Sequence, residues 1–493
     1  MTQLSGTQAL AQVHQHLRRG DTVSALRLTA EIVRQAPQFA EGQFVHAQVL
    51  IRAKRTASAR AILAKLDEIA PEAQKAPLDI ELARSFLVDE RWADAVEPAQ
   101  RARESGSENE LIAAEGAALA IEALAGSGRG EEATGVLEDA KSKGIDTLGL
   151  AKAVGVAALQ GVGDAGAAIS GLSEHVGKVG AAALDLLPAL RTLAELHARG
   201  GNDDEAFTVF KRAAKIASPG ADPRPHAQGV AKLIEEWSKV SKLPSLTGDD
   251  ASGDGGERYV AVIGLPGGST GSVAAVAKAA GAVTSSYAHV FLGTAMTVFP
   301  SQAAGFAGWL PPMTKATRPQ LLKVRESVAR LGVSEHPDAP AVIDAQWAQV
   351  YGILALPLML PDAKVVLVDR DIADAAVGSM MSEGAPQAPF AQDAPMAGVA
   401  LRDVQRLLEH VAGVFGAEGA TNPFLRVSHD ALVSDDDAAR CELLSFLGLA
   451  SGEAELNTSR DAAKSFAGRT HAQAGLAARF EGRIKDLRRA LEA

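Results

Sequence analysis

Residues 259–276 constrain the fold of this chain more than any other stretch of its sequence. They open with a short apolar run, 259–263, which is rich in β-branched residues and typical of a strand buried on both faces. A loop of Gly, Pro, Ser and Thr follows at 264–271, and 272–280 reads as a helix. A strand, a small-residue loop and a helix in this order direct backbone N–H groups at one point, where an anion can bind.

The candidate anion-binding residues of this loop are Gly267, Gly268, Ser269, Thr270 and Gly271. Glycine lets backbone approach a phosphate closely, and the hydroxyl groups add hydrogen-bond donors. The loop lacks the Gly-Lys-Ser/Thr ending of a nucleoside-triphosphate loop and does not fit the G-x-G-x-x-G dinucleotide pattern. A tight strand-to-helix turn that binds nothing explains the spacing equally well.

A repeat runs through residues 7–218, before this stretch. Ala59 and Pro71 follow Ala25 and Pro37 at a distance of 34 residues. Looser copies of the pattern recur at Trp92 with Ala95, Gly130 with Ala133, Gly166 with Ala168, and Gly201 with Ala206. The pattern predicts about six helical hairpins, because a small residue at the crossing lets two paired helices approach closely.

The period and the small crossing residues resemble the tetratricopeptide repeat. The resemblance implies an all-α helical solenoid whose groove holds a peptide or protein segment. The alternative is an array that only scaffolds the domain behind it. We predict a tetratricopeptide-like domain at 1–243, a Gly/Asp/Ser-rich linker at 244–257, and an α/β domain at 258–493.

Strands and helices alternate in the predicted C-terminal domain, which indicates a parallel sheet covered by helices on both faces. The predicted strands are 259–263, 341–344, 364–368 and 424–427. Ligands of such sheets bind at the carboxyl ends of the strands, where the loop and Arg370 both fall.

Three motifs carry a second resemblance. Residues 264–271 read Gly-Leu-Pro-Gly-Gly-Ser-Thr-Gly, residues 360–371 read Leu-Pro-Asp-Ala-Lys-Val-Val-Leu-Val-Asp-Arg-Asp, and 429–433 read His-Asp-Ala-Leu-Val, followed by Phe-Leu-Gly-Leu at 446–449. In this order they resemble the bacterial sulfotransferases fused behind tetratricopeptide repeats. The resemblance implies a P-loop-like α/β fold, 3′-phosphoadenosine 5′-phosphosulfate as the sulfuryl donor, a peptide or glycan acceptor, and no metal.

The family pattern assigns residue roles and also reveals departures. It implies that the loop holds the 5′-phosphosulfate and that Arg370 holds the 3′-phosphate, with a serine expected at 378 and found one place later, as Ser379. The loop arginine is replaced by Gly267, and both a lysine expected near 345 and a glutamate expected near 293 are absent. Lys278, His289 and Asp344 are the residues that could replace the missing groups. Of these, His289 is the candidate general base, since its side chain titrates in a suitable range, and its alternative role is structural. Arg370 has an alternative role, as an arginine at the end of the sheet that pairs with Asp371 or Asp374.

Composition narrows the classes of partner. The formal net charge of −11 argues against nonspecific binding to nucleic acid or to an anionic membrane. One cysteine excludes a disulfide framework, and we find no signal peptide or membrane-spanning run, so we expect a cytoplasmic protein. The sequence leaves the oligomeric state open.

Two functions follow from these observations. The first is sulfuryl transfer from 3′-phosphoadenosine 5′-phosphosulfate to an acceptor presented by the repeats. The second is a catalytically inactive, sulfotransferase-like scaffold that binds a protein partner through its repeats. The fold favours the first function, and the missing arginine, lysine and glutamate favour the second. A different phosphoryl-handling enzyme is the weakest alternative, since no magnesium-binding carboxylate pattern is evident.

Overall fold

The computed structural model describes residues 6–18, 22–53, 55–105, 109–178, 186–217, 224–238, 256–285, 291, 294, 315–333, 336–381 and 394–492. The candidate base His289 lies outside the described residues, and so does most of the predicted linker. The chain divides into two compact units, Met1–Ala217 and Ser218–Ala493.

The first unit is a series of antiparallel helical hairpins. Its described helices, α1 to α12, are Gly6–Arg18, Thr22–Gln35, Ala40–Arg52, Thr56–Ile69, Lys75–Val88, Trp92–Ser105, Glu110–Gly126, Gly130–Ser142, Leu148–Leu159, Ala165–Lys178, Leu187–Arg199 and Asp203–Ala217. Each odd-numbered helix packs against the even-numbered helix that follows it. The helices pair into six hairpins, which confirms the predicted all-α repeat region.

The small residues of the repeat occupy the same place in every hairpin. The fourth residue of each even-numbered helix is an alanine that is at most 2% exposed: Ala25, Ala59, Ala95, Ala133, Ala168 and Ala206. A larger side chain at this depth would separate the paired helices, because interiors are close-packed. The positions of these alanines therefore mark where the two helices of each hairpin cross.

The described residues of the second unit form a five-stranded, all-parallel sheet. The strands are β1 Tyr259–Gly264, β2 Val283–Thr284, β3 Val342–Ala345, β4 Lys364–Asp369 and β5 Phe424–Ser428. They lie in the order β2-β3-β1-β4-β5, so β1 is central. Every residue of β1 is buried, as its continuous apolar sequence predicts. The predicted α/β parallel-sheet domain is thus confirmed, and sequence reasoning missed only the two-residue edge strand β2 among these strands.

Helices connect and cover the strands. The described helices of this unit are α13 Arg224–Ser238, α14 Ser269–Ala279, α15 Arg318–Val328, α16 Leu356–Met359, α17 Ile372–Met381, α18 Ala394–Phe415, α19 His429–Val433, α20 Ala438–Leu447, α21 Glu453–Ala467, α22 Leu476–Arg479 and α23 Lys485–Glu492. Helix α13 packs against α18 within this unit. The domain limits 1–243, 244–257 and 258–493 stay a prediction.

The sequence pattern predicts an apolar helix at 350–360 and an amphipathic helix at 474–491, and the structure divides both segments into shorter elements. Residues 350–360 form 3₁₀ turns and the short helix α16, since Gly352 and Pro357 interrupt the apolar run. The C-terminal tail forms α22, a 3₁₀ turn and α23, with Gly475 in the left-handed region at its start. Within the tail, the backbone of residues 471–477 contacts Arg370 and Asp374, which follow β4 at the carboxyl edge of the sheet.

Candidate functional site

The loop between β1 and α14 has the backbone shape that its sequence predicts. Strand β1 ends at Gly264, and α14 begins at Ser269. Gly267 and Gly268 have φ angles of +109° and +95°, and Gly268 is the N-cap of α14. Only glycine adopts such angles at little cost, so the Gly-Gly pair is required by the turn.

The hydroxyl groups of this region donate to backbone carbonyl groups of the protein. Ser269 Oγ donates to Leu265 at 2.6 Å, and Ser272 Oγ donates to Ser269 at 2.7 Å. Thr270 Oγ1 lies 3.3 Å from the carbonyl oxygen of Ala345 in β3. These contacts fasten the first turn of α14 to the loop and the sheet.

Gly267 fits closely against helix α17. A Cβ at this position would collide with the carbonyl oxygen of Ala375 and lie 2.9 Å from the backbone nitrogen of Ser379. Position 267 is where the family resemblance expects the loop arginine. The backbone here leaves no space for a side chain, so the missing arginine and the tight packing on α17 go together.

Arg370 follows β4 and lies beside the loop. Its Nη1 donates to the carbonyl oxygens of Gly267 and His471, the latter at 2.9 Å, and its Nη2 donates to Gln473 at 2.8 Å. The residue is 8% exposed, and its Nε has no hydrogen-bond partner among the described residues. Burial lowers the pKa of its guanidinium, and nearby carboxylates, Asp374 first, oppose that shift. Arg370 therefore joins the loop to the C-terminal segment.

The positions expected to hold a phosphate-binding serine are also packed. A Cβ at Gly378 would lie 2.7 Å from the carbonyl oxygens of both Gly267 and His471. A serine there would not fit this arrangement. Ser379, one place on, is 1% exposed, and its Oγ donates to Ala376 of its own helix at 2.8 Å.

Asp374 and His429 belong to the same site. Sequence reasoning named Asp374 only as an alternative ion partner of Arg370 and gave His429 no role. Asp374 accepts hydrogen bonds from the backbone nitrogens of Gly475 and Ala477, each at 2.7 Å. His429 is fully buried, and its Nε2 lies 2.9 Å from the carbonyl oxygen of Ala472. Burial, followed by the charge of Arg370, lowers the pKa of His429 to about 4, so its imidazole is neutral at pH 7.

Two aromatic rings of the C-terminal segment cover the loop. A Cβ on Gly268 would lie 2.8 Å from Cδ2 of the His471 ring, and a Cβ on Gly271 would lie 2.5 Å from the Phe466 ring. The Phe466 and His471 rings meet edge to face, with centroids 6.2 Å apart. The N-terminus of α14 is thus covered by protein groups.

The other residues considered as replacements for the family's catalytic groups lie apart from this cluster or are engaged elsewhere. Asp344 accepts a 2.7 Å hydrogen bond from the hydroxyl of Tyr259 inside the sheet. Lys278 is exposed in the last turn of α14, at the opposite end from the loop. The described residues contain no group of three or more His, Cys, Asp or Glu side chains placed to hold a metal ion.

The odd-numbered helices of the first unit share a second polar feature. Gln48 of α3 donates to Glu81 of α5 at 2.9 Å, and Arg84 of α5 pairs with both Glu81 and Glu115 of α7. Further along, Lys152 of α9 pairs with Glu122 of α7 at 2.7 Å. Apart from the Arg84–Glu81 pair, which lies within α5, these contacts join successive hairpins, and we call these six residues the polar ladder.

Comparisons with known proteins support the fold assignment of the C-terminal part. Residues 305–453 match the model of the sulfotransferase family, in a segment that begins after the β1–α14 loop. A search of the curated proteins finds no match. A solved structure, "Structure of Naa15/Naa10 bound to HypK-THB", is 12% identical, with 93% of this chain and 67% of that chain covered, but its TM-score is only 0.17. None of the described helices is long and apolar enough to cross a bilayer.

Proposed function

We propose, on the premise that the C-terminal part carries a sulfotransferase-family domain, that this protein acts by binding a protein or peptide through its helical repeats. In this proposal the domain does not transfer sulfuryl groups, and its donor loop is held closed. The observation that supports it is the use of Arg370. The side chain expected to hold the donor's 3′-phosphate donates to three backbone carbonyl groups.

The electrostatics of the loop support the same proposal. Sulfuryl transfer places negative charge on the leaving phosphate, and the enzyme must stabilise that charge with cations or fixed donors. Position 267 carries no cation and has no space for one. The hydroxyl groups of Ser269 and Ser272 donate to carbonyl oxygens of the loop and helix.

A second candidate function is sulfuryl transfer from 3′-phosphoadenosine 5′-phosphosulfate to a peptide or glycan acceptor. It is favoured by the backbone framework, because a glycine turn still leads from the central strand into α14. Arg370 is also still placed at the carboxyl end of the neighbouring strand. In this case the C-terminal segment would move away from the loop to admit the donor.

Calorimetric titration with 3′-phosphoadenosine 5′-phosphate, the product form of the donor, separates the two functions. If the protein acts only by binding a partner through its repeats, we expect no heat of binding at millimolar nucleotide, for the wild type and for Arg370→Ala alike. Micromolar binding that Arg370→Ala weakens by about 1.5–3 kcal/mol, the scale of a charge-assisted hydrogen bond, would overturn it in favour of the transferase.

Affinity capture then tests the repeats. We expect a specific partner to be retained by Arg370→Ala and lost when the polar ladder is reversed, as in Arg84→Glu. Arg91→Glu is the matched control, since Arg91 lies in the turn before α6 and pairs only locally with Asp94 among the ion pairs of the described residues. A partner lost equally in both variants would contradict binding through the odd-numbered helices.

A further inference from the structure

Residues 466–473, which we call the latch, cover the loop at the start of α14. Phe466 lies over Gly271, and His471 lies over Gly268. Nε2 of the buried His429 contacts the carbonyl oxygen of Ala472 in the latch. Asp374 accepts hydrogen bonds from Gly475 and Ala477, which follow the latch. These contacts involve α14, α17 and α19, so the C-terminal segment that contains the latch is attached to the domain at several separate points.

Arg370 connects the two sides of this closure. It donates to Gly267 on the loop and to His471 and Gln473 on the latch. The same guanidinium therefore holds both the loop and the latch while they are closed. Its Nε, in a side chain that is 8% exposed, remains without a partner among the described residues.

The orientation of one peptide bond is the second element of the closed state. The carbonyl group of Gly267 points at Arg370. In a trans peptide the N–H group points the opposite way, so the Gly268 N–H is directed away from the guanidinium. Rotating this peptide changes ψ of Gly267 and φ of Gly268, and glycine tolerates both the left-handed and the right-handed values. The rotated peptide would present an N–H beside Arg370 instead of a carbonyl oxygen.

We propose that the latch is an autoinhibitory segment and that the Gly267–Gly268 peptide is its switch. Release of the latch, with rotation of this peptide, frees the Arg370 guanidinium and turns the Gly268 N–H toward it. The open site takes a small phosphate-bearing ligand, because both groups are donors suited to phosphate oxygens. This proposal rests on the closed loop described under the proposed function and adds an open state of the same loop.

Two substitutions should destabilise the closed state relative to the open state, each for a different physical reason. Gly268→Ala adds a methyl group 2.8 Å from His471 and disfavours the φ of +95°, whereas the rotated peptide has a negative φ that alanine accepts. His471→Ala removes the covering ring. Gly419→Ala is the matched control, because Gly419 also has a positive φ, of +83°, but a Cβ there meets no atom within 4 Å.

The experiment combines hydrogen exchange of the latch with calorimetric binding of inorganic pyrophosphate, using the full-length protein. We expect Gly268→Ala and His471→Ala to exchange latch amides about tenfold faster and to bind pyrophosphate about tenfold more tightly than the wild type. Gly419→Ala should match the wild type in both measurements.

Three results would overturn the proposal. Exchange at the wild-type rate in both Gly268→Ala and His471→Ala would show that residues 466–473 are not a closed latch. Faster exchange with unchanged or absent pyrophosphate binding would show that the latch is not inhibitory. If Gly419→Ala also exchanged its latch amides faster and bound pyrophosphate more tightly, both effects would come from general destabilisation. None of these measurements involves the repeats. The latch proposal can therefore be contradicted while partner capture succeeds, and partner capture can fail while the latch proposal holds.

Discussion

Gly267 is the residue whose packing decides what the loop can hold. Its φ is +109°, and a Cβ would collide with the backbone of α17. We expect Gly267→Ala to lower the free energy of unfolding by about 2 kcal/mol or more, from strain and overpacking together. Gly413→Ala is the control, because Gly413 lies in α18 with open space around it. That change should stabilise by up to about 1 kcal/mol.

Urea unfolding of both glycine variants is the test. Equal stability of Gly267→Ala and the wild type would mean that the loop can move away from α17. The same result would reopen position 267 to a cationic side chain.

His429 makes the stability of this domain depend on pH. Its pKa falls from an ordinary value of 6.5 to about 4 in the folded protein, mainly through burial. Between these values the unfolded chain binds a proton that the folded chain does not. Stability therefore falls as pH drops below 6.5 and levels off below 4, with a loss of about 2 kcal/mol between pH 7 and pH 5.

We expect His429→Gln to reduce this loss, because glutamine does not titrate. The measurement is the difference in unfolding free energy between pH 7 and pH 5 for the variant and the wild type. Other groups titrate equally in both proteins, so parallel curves would show that His429 is not the cause.

At the scale of elements, the repeat turns reveal one strained position. Glu90 has a φ of +56°, where the equivalent turns carry the glycines Gly128, Gly161 and Gly201. In each turn the next residue donates from its backbone nitrogen to the carbonyl five residues earlier, as Arg91 does to Phe86. A non-glycine residue in this region costs about 1 kcal/mol.

We therefore expect Glu90→Gly to be about 1 kcal/mol more stable to unfolding than Glu90→Ala. Comparing two variants that both lack the glutamate side chain isolates the backbone effect from any contact that Glu90 makes. Thermal and urea unfolding measure the difference. If alanine proved as stable as glycine at this turn, the assigned strain would be wrong.

The elements also show what sequence reasoning can reach. The hairpins could be predicted because each crossing alanine leaves a local signature at a regular interval. The place of the loop and of Arg370 could be predicted because glycines and strand ends are visible in the sequence. The partners of Arg370 could not, since it bonds to backbone carbonyls 101 and 103 residues away. Every residue has a carbonyl group, so no residue type marks such an acceptor.

At the scale of the whole molecule, helix α13 decides where the chain can be divided. Its sequence predicts one more amphipathic helix before the Gly/Asp/Ser-rich linker, and we predict the boundary at that linker, after residue 243. Within the second unit, however, α13 packs against α18 and buries Val230, Leu233 and Trp237. Each such side chain contributes about 1.5–3 kcal/mol when it is removed from water.

Two fragments test the boundary. We expect residues 218–493, which keep α13, to be more stable than residues 244–493 by about 3 kcal/mol or more. Within the longer fragment, Leu233→Ala should cost about 2–5 kcal/mol, since Leu233 is fully buried, while the exposed Lys232→Ala should have little effect. Equal stability of the two fragments, with a neutral Leu233→Ala, would return α13 to the repeats and support the boundary at 243. The expected difference would instead make α13 the first structural element of the α/β domain, because its apolar face would then be required there.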